Sequence, residues 1–505
     1  MIIILLIVFF SHSWAKTSPN VIIILADDLG YDDISWHNPD IISPNLESLA
    51  NGGIILEGHY VLPVCSPTRS ALMTGYYPIH TGRQSHGIRL QMPKGLFTNF
   101  TIMAQYFKEI GYSTHALGKW HLGYCHEDYL PTRRGFDTFY GFYCGSGDHH
   151  LHTKSPIIGD KTPAYDFRDQ EEVDFTANGT YSSILLAKRA VKIIKEHDEN
   201  PSKKPFFMYL PFQNVHEPLQ VPVEYEELYP DIKNKKRKTL SAMVSALDDA
   251  VGTIVRSLQE TELIRNTIIV FSSDNGAKYD GGGSNYPLRG TKATLWEGGT
   301  RSAAFVYSSM LTNNRTKNHE MFHIVDWIPT LLSAVKDKLN EEDQSKVEEF
   351  LAEERDGIDQ WNMLMGNEEG KRSELLYNIN PTFNDDGLKG HGAIRIGHMK
   401  LIVGNPGIND GHYPPGNLNI RAPDDVTPYL MDGRKIYLFN LHDDPNEYYN
   451  IAEENLDIVE KMKARYNEYE MSMIPPDIAG ETSKGNPSHF GGVWSTGWCE
   501  SEPAF

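Results

Sequence analysis

Apolar residues in this chain gather into a few unbroken runs. Val21-Ile22-Ile23-Ile24-Leu25, Phe206-Phe207-Met208-Tyr209-Leu210 and Thr267-Ile268-Ile269-Val270-Phe271 do not alternate with polar positions. They read as strands buried on both faces, the pattern of a parallel sheet covered by helices. Between them the period becomes helical. From Ser182 to Glu196, the residues Ile184, Leu185, Ala187, Val191 and Ile194 recur at helical spacing, with Lys188, Arg189 and Lys192 outside. Met243 to Leu258 repeats the pattern. After about residue 380 the composition changes, and Gly392 to Val403 and Lys435 to Asn440 predict short antiparallel strands ahead of a terminal helix from Leu456 to Met471.

The predicted fold class is therefore α/β, with a large, mostly parallel sheet between helices over residues 16–380 and a smaller C-terminal α+β domain with an antiparallel sheet over 381–505. A chain of 505 residues is too long for one ordinary core, which agrees with two domains. Two of the buried runs lead straight into acidic groups, Asp27-Asp28 and Asp274-Asn275. Ligands of open α/β sheets collect beyond the carboxyl ends of strands, so these groups are placed to meet.

The apolar stretch Ile2 to Phe10, followed by Ser13-Trp14-Ala15, predicts a secretory signal peptide over residues 1–15. It has about half the length a spanning helix needs, and no later segment predicts a membrane span. Sequons at Asn99, Asn178 and Asn314 fit a secreted chain. The formal net charge of −20 argues against nucleic acid as a partner. A small basic pocket for an anionic substrate remains compatible with it. The 20 histidines would bring the charge toward neutrality near pH 5, which permits an acidic compartment.

Four cysteines are present, Cys65, Cys125, Cys144 and Cys499. Cys65 lies in Cys65-Ser66-Pro67-Thr68-Arg69, followed by Ser70-Ala71-Leu72-Met73-Thr74-Gly75, and a helix is expected to start near Pro67. Cys65 and Arg69 would then share a pocket at the positive end of a helix. On the residues alone, Cys65 is either a thiolate nucleophile lowered by the guanidinium or a buried structural cysteine. Other clusters are equally open. Asp27-Asp28 is a turn, a cap or a metal ligand pair, and together with Asp274-Asn275 it offers the hard oxygens that calcium takes. Gly118-Lys119-Trp120-His121 is a surface turn or an anion site. His216 is a structural or a functional histidine, and His149, His150 and His152 read as a flexible polar loop. The basic run Lys233 to Lys238 reads as a solvated helix start, and Arg289 and Arg301 as possible structural ion-pair partners.

Taken with the Cys-x-Pro-x-Arg core, these clusters resemble the sulfatase family. The resemblance runs through most of the chain, and Leu130 to Asp137, Val215 to Pro222 and Leu295 to Gly299 are near matches to its arylsulfatase B subgroup. Leu117 departs from the second family signature, and the cysteines are fewer than in the vertebrate enzyme. The resemblance implies an alkaline-phosphatase-like fold and one calcium ion held by Asp27, Asp28, Asp274, Asn275 and the modified Cys65. It implies that Cys65 is converted to Cα-formylglycine by a formylglycine-generating enzyme during secretion. Arg69, Lys119, His121, His216 and Lys292 would act on the sulfate. The expected substrate is a sulfated carbohydrate, the 4-sulfate of N-acetylgalactosamine in glycosaminoglycans, handled in the lysosome or outside the cell. Alternatives are a small dietary or plant sulfate ester such as a glucosinolate, a phosphate or phosphonate ester, or a secreted binding protein without activity. With Cys65 modified, three cysteines remain, which allows one disulfide of open connectivity and one free thiol.

Overall fold

The computed structural model describes residues 18–200, 202, 204–311, 316–385, 388–415 and 426–501. The expected signal peptide and the sequon residue Asn314 lie outside them. At the centre of a ten-stranded sheet, five strands run parallel in the order Thr267–Ser273, Asn20–Ala26, Phe206–Pro211, Ser113–Lys119 and Thr138–Phe142. All three apolar runs are among these strands, and every residue of their strands is buried. Antiparallel strands extend the sheet on both sides, Ala304–Tyr307 next to Thr267–Ser273 and Arg168–Asp169 next to Thr138–Phe142.

Alternate residues of Asn20–Ala26 serve two cores. Val21, Ile23 and Leu25 join Leu72, Phe107 and Trp327 on one face, and Ile22 and Ile24 join Leu186, Ile194 and Leu247 on the other. The helix Ser182–Glu199 buries Leu186, Ala187, Ala190, Ile193 and Ile194. That stripe is rotated from the predicted one, since Ile184, Leu185 and Val191 are only half-buried. Apolar residues surround much of this helix, so its period alone does not say which stripe meets the sheet. The second long helix spans Lys235–Glu260, beginning earlier than its apolar period because Asn234 caps it through the Arg237 amide. Arg237 corrects the solvated reading of the basic run, because it is buried and paired with Asp33.

The second sheet is antiparallel, in the order Glu374–Asp385, Leu388–Ile396, Met399–Val403, Arg434–Asn440 and Tyr429–Met431. Its first strand runs through residue 380, where the composition changes. The stretch Gly392 to Val403 resolves into parts of two strands that turn at Gly397. Helix Leu456–Ser472 packs on this sheet through Val459, Met462 and Tyr466. The tail then returns to the first unit, where Cys125 and Cys499 form a disulfide and the Trp494 amide donates to the Tyr165 carbonyl at 3.0 Å. Cys144 stays a buried free thiol.

A buried polar junction joins the two sheets. Lys400, on the smaller one, lies 3.0 Å from Glu297 and 2.7 Å from Glu447, and none of the three side chains is exposed. Tyr60 and Tyr377 both donate to Glu297, at 2.8 and 2.7 Å. Burial, with the Glu297 charge alongside, pushes the Glu447 carboxyl up to about 7 against the pull of Lys400.

Candidate active site

The carboxyl ends of the parallel strands bring every predicted site residue to one sheet edge. Asp27 and Asp28 follow the first strand, Asp274 and Asn275 the neighbouring one, and Lys119 ends Ser113–Lys119. His216 follows Phe206–Pro211. Gly118, just before Lys119, has φ +126°, and a Cβ there would stand 2.0 Å from the Pro211 carbonyl oxygen. Glycine is needed for the strands to close at this point.

Helix Cys65–Thr74 begins at Cys65 itself, after an extended Val64, and is entirely buried. From this helix Arg69 reaches the acidic cluster. Its side chain has no exposure and donates twice to Asp274 Oδ2, at 2.8 and 3.0 Å, and once to the Lys119 carbonyl at 3.3 Å. Tyr209, on the adjacent strand, lies 3.4 Å from it. Arg69 is thus a brace behind the acidic cluster, and Tyr209 belongs to the same brace without any sequence motif to mark it.

Asp27 accepts from Lys119 at 2.7 Å, with both side chains fully buried. Burial, with Asp274 alongside, pushes the Asp27 carboxyl up to about 7, against the pull of Lys119. Asp28 has the opposite balance. Burial opposes its charged form, but Lys292 at 2.5 Å, His216 at 3.7 Å and the Asn275 amide at 2.7 Å hold it well below the usual carboxylate range. Asp28 has φ 61° and His121 φ 56°, left-handed conformations uncommon for such residues and concentrated at functional sites.

Ligand atoms of Asp27, Cys65 and Asp274 lie within 4.8 Å of one another, as do those of Asp27, Asp28 and His216. Asp27 Oδ1 and Asn275 Oδ1 are buried with no hydrogen-bond partner. Buried oxygens without donors carry a desolvation cost that a hard cation removes. The donor set of three carboxylates and one amide oxygen therefore fits a calcium-type ion.

Burial pushes the Cys65 thiol up despite Lys119 and Lys292, which disfavours the thiolate reading. His121 Nε2 sits 3.0 Å from the Ile88 carbonyl, to which it donates, leaving Nδ1 unprotonated, buried and without a partner. Burial, with Lys119 and Arg69 nearby, keeps His121 neutral far below its ordinary range. His216 Nδ1 is tied to the Glu217 carbonyl at 2.7 Å, so Nε2 is the nitrogen turned toward Asp28. The reading of His149 and His152 as a flexible polar loop is corrected. His149 is fully buried and reaches the His216 carbonyl at 3.0 Å, while His152 caps the Ala177 and Thr180 carbonyls at 3.1 Å. Arg289 stacks 4.2 Å over Trp296 and Arg301 donates to the Glu57 carbonyl, both structural positions.

A family model described as Sulfatase matches residues 19–337, which covers most of the first sheet and all ten site residues. The chain belongs to the sulfatase family. Mouse arylsulfatase J is 38% identical over 501 residues, covering 96% of this chain and 81% of that protein. Dog N-acetylgalactosamine-6-sulfatase is 28% identical over 335 residues, covering 63% of this chain and 62% of that protein. Among solved structures, Ps i-CgsB in complex with k-i-k-neocarrahexaose superposes with a TM-score of 0.75 at 28% identity, covering 94% of this chain and 97% of that one. The fold is the alkaline-phosphatase-like one of sulfatases, and this sulfatase acts on sulfate esters. Sulfatases generally use a formylglycine and a metal ion, and here Asp27, Cys65 and Asp274 form a group that could hold a metal. Among the described residues, no helix is long and apolar enough to cross a membrane.

Proposed function

We propose that this sulfatase is a calcium-dependent enzyme of the secretory pathway, lysosomal or secreted, that removes sulfate from N-acetylgalactosamine in glycosaminoglycans, at the 4-position by its likeness to the arylsulfatase B motifs. The observation that carries the proposal is the joint placement of Cys65, three buried carboxylates and two lysines at one sheet edge. Converted to Cα-formylglycine by the generating enzyme, Cys65 would supply an aldehyde hydrate able to attack sulfur and afterwards release sulfate. Calcium held by Asp27, Asp28, Asp274, Asn275 and the modified Cys65 would draw charge from the sulfate oxygens.

The chain's own groups do the rest. Lys119 and Lys292 hold the sulfate from two sides and are themselves fixed by Asp27 and Asp28, so little reorganisation remains when charge develops. His121 Nδ1 is the free base that takes a proton from the attacking oxygen. His216 Nε2 gives a proton to the departing alcohol; burial, with Lys292 and Lys119 nearby, holds its titration well below the ordinary range, and the sulfate's own negative charge opposes that. Arg69 holds Asp274 in place through its two hydrogen bonds without touching substrate.

Turnover of an aryl sulfate beside an aryl phosphate, by wild type and Cys65→Ala, tests this reading. Sulfate is expected to be the preferred ester, and Cys65→Ala to lose turnover while melting like wild type. Preference for phosphate, or near-full activity in Cys65→Ala, would overturn it.

A further inference from the structure

Beside His216 a cleft of about 470 Å³ opens to solvent, lined by Gly147, Asp148, Thr153, Lys154, Glu217 and Pro218 among others. Its acidic residues are already satisfied. Asp148 accepts from the Gln220 amide at 2.7 Å and from the His150 and Leu151 backbone amides at 2.9 and 2.7 Å. Glu217 is paired with Lys278 at 2.7 Å. Lys154 differs. Its ammonium reaches one partner among the described residues, the Ser146 hydroxyl at 2.8 Å, and no carboxylate lies within ion-pair distance. An ammonium has three donors, so two remain for a ligand in the cleft. Burial, with a contribution from the Lys119 charge, lowers Lys154 from its ordinary range, a cost that an incoming anion would offset.

We propose that Lys154 recognises a second anionic group, a carboxylate or a further sulfate, on the part of the substrate that leaves when the ester is cleaved. The inference rests on the sulfated-carbohydrate reading and narrows it to substrates with at least two negative charges. The site lies on the His216 side of the sulfate because His216 and Glu217 line the same cleft. His216 is also the group assigned to the departing oxygen. A neutral aryl group would fill this space without using the ammonium. A uronate neighbour or a doubly sulfated sugar would use it.

The test compares kcat/KM of wild type, Lys154→Ala and Lys154→Arg on four esters: an aryl monosulfate, a monosulfated disaccharide with a uronate carboxylate, the same disaccharide with that carboxylate reduced to an alcohol, and a disulfated monosaccharide. In Lys154→Ala, the preference for a doubly charged ester over its singly charged counterpart should fall about ten-fold or more, the worth of one charge-assisted contact. Lys154→Arg should keep most of it. Whether the loss falls on the carboxylate or on the second sulfate names the source of the anion. An equal factor across all four esters overturns this inference alone, because the ratio within one variant cancels any general damage to folding. Wild type that turns over the aryl sulfate and none of the sugars overturns the carbohydrate reading and this inference with it.

Discussion

Lys119 and Asp27 form an ion pair of 2.7 Å in which neither side chain is exposed to solvent. Asp27 belongs to the acidic cluster, and Arg69 approaches its other oxygen at 3.8 Å. Removing one partner of a buried pair costs about 3–5 kcal/mol, because the remaining charge is left without compensation. Lys119→Met should therefore melt well below wild type in the presence of a chelator, and calcium should recover part of the loss. An unchanged melting temperature would show that Asp27 needs no local cation.

Calcium removal should act on stability as well as on rate. A bound cation would satisfy the unpartnered oxygens of Asp27 and Asn275. A ligand at a hundred times its Kd stabilises by about 2.7 kcal/mol, so dialysis against a chelator should lower both the melting temperature and turnover, and calcium should restore both. Asn275→Ala should weaken the calcium dependence of melting.

His121, as the proposed base, should set the acid side of the pH profile. Its base form is the neutral one, and burial with two nearby cations depresses its titration well below the ordinary value of about 6.5. The acid-side fall of kcat/KM should thus lie well below pH 6.5. His121→Ala should lower kcat by about 10²–10⁴-fold with a smaller effect on KM. A fall centred on 6.5 in wild type would point to an exposed histidine instead.

The junction between the sheets supplies a stability test remote from the chemistry. Glu447 is raised to about 7 in the folded protein from an ordinary value of about 4.5. The stability it contributes is complete below about 4.5 and is lost as pH rises through about 7. Glu447→Gln keeps the neutral form at every pH. Its melting temperature relative to wild type should rise between pH 5 and pH 8, and a constant difference would mean that Glu447 is ionised throughout.

Much of this arrangement could be read from the chain, because local pattern carried it. Unbroken apolar runs mark strands with two covered faces, and the acidic pairs that follow Leu25 and Phe271 sit at strand ends whatever the details of packing. The site residues came from short motifs that agree with one another. What remained hidden depends on distant partners. The orientation of the Ser182–Glu199 helix is decided by the sheet beneath it. The burial of His149 depends on the His216 backbone, and that of Arg237 on Asp33. Arg69 lies four residues after Cys65 in sequence, and its partners Asp274 and Tyr209 come from distant strands that only the fold brings to it. The Cys125–Cys499 disulfide closes 374 residues of chain, a pairing that spacing could not select.

The proposed mechanism depends on the chemical state of Cys65. Mass spectrometry of the tryptic peptide ending at Arg69 decides it most directly, using protein secreted from cells that carry the converting enzyme. The expected result is an aldehyde in place of the thiol at Cys65. Only unmodified cysteine in that peptide would contradict the mechanism and leave the acidic cluster without its nucleophile.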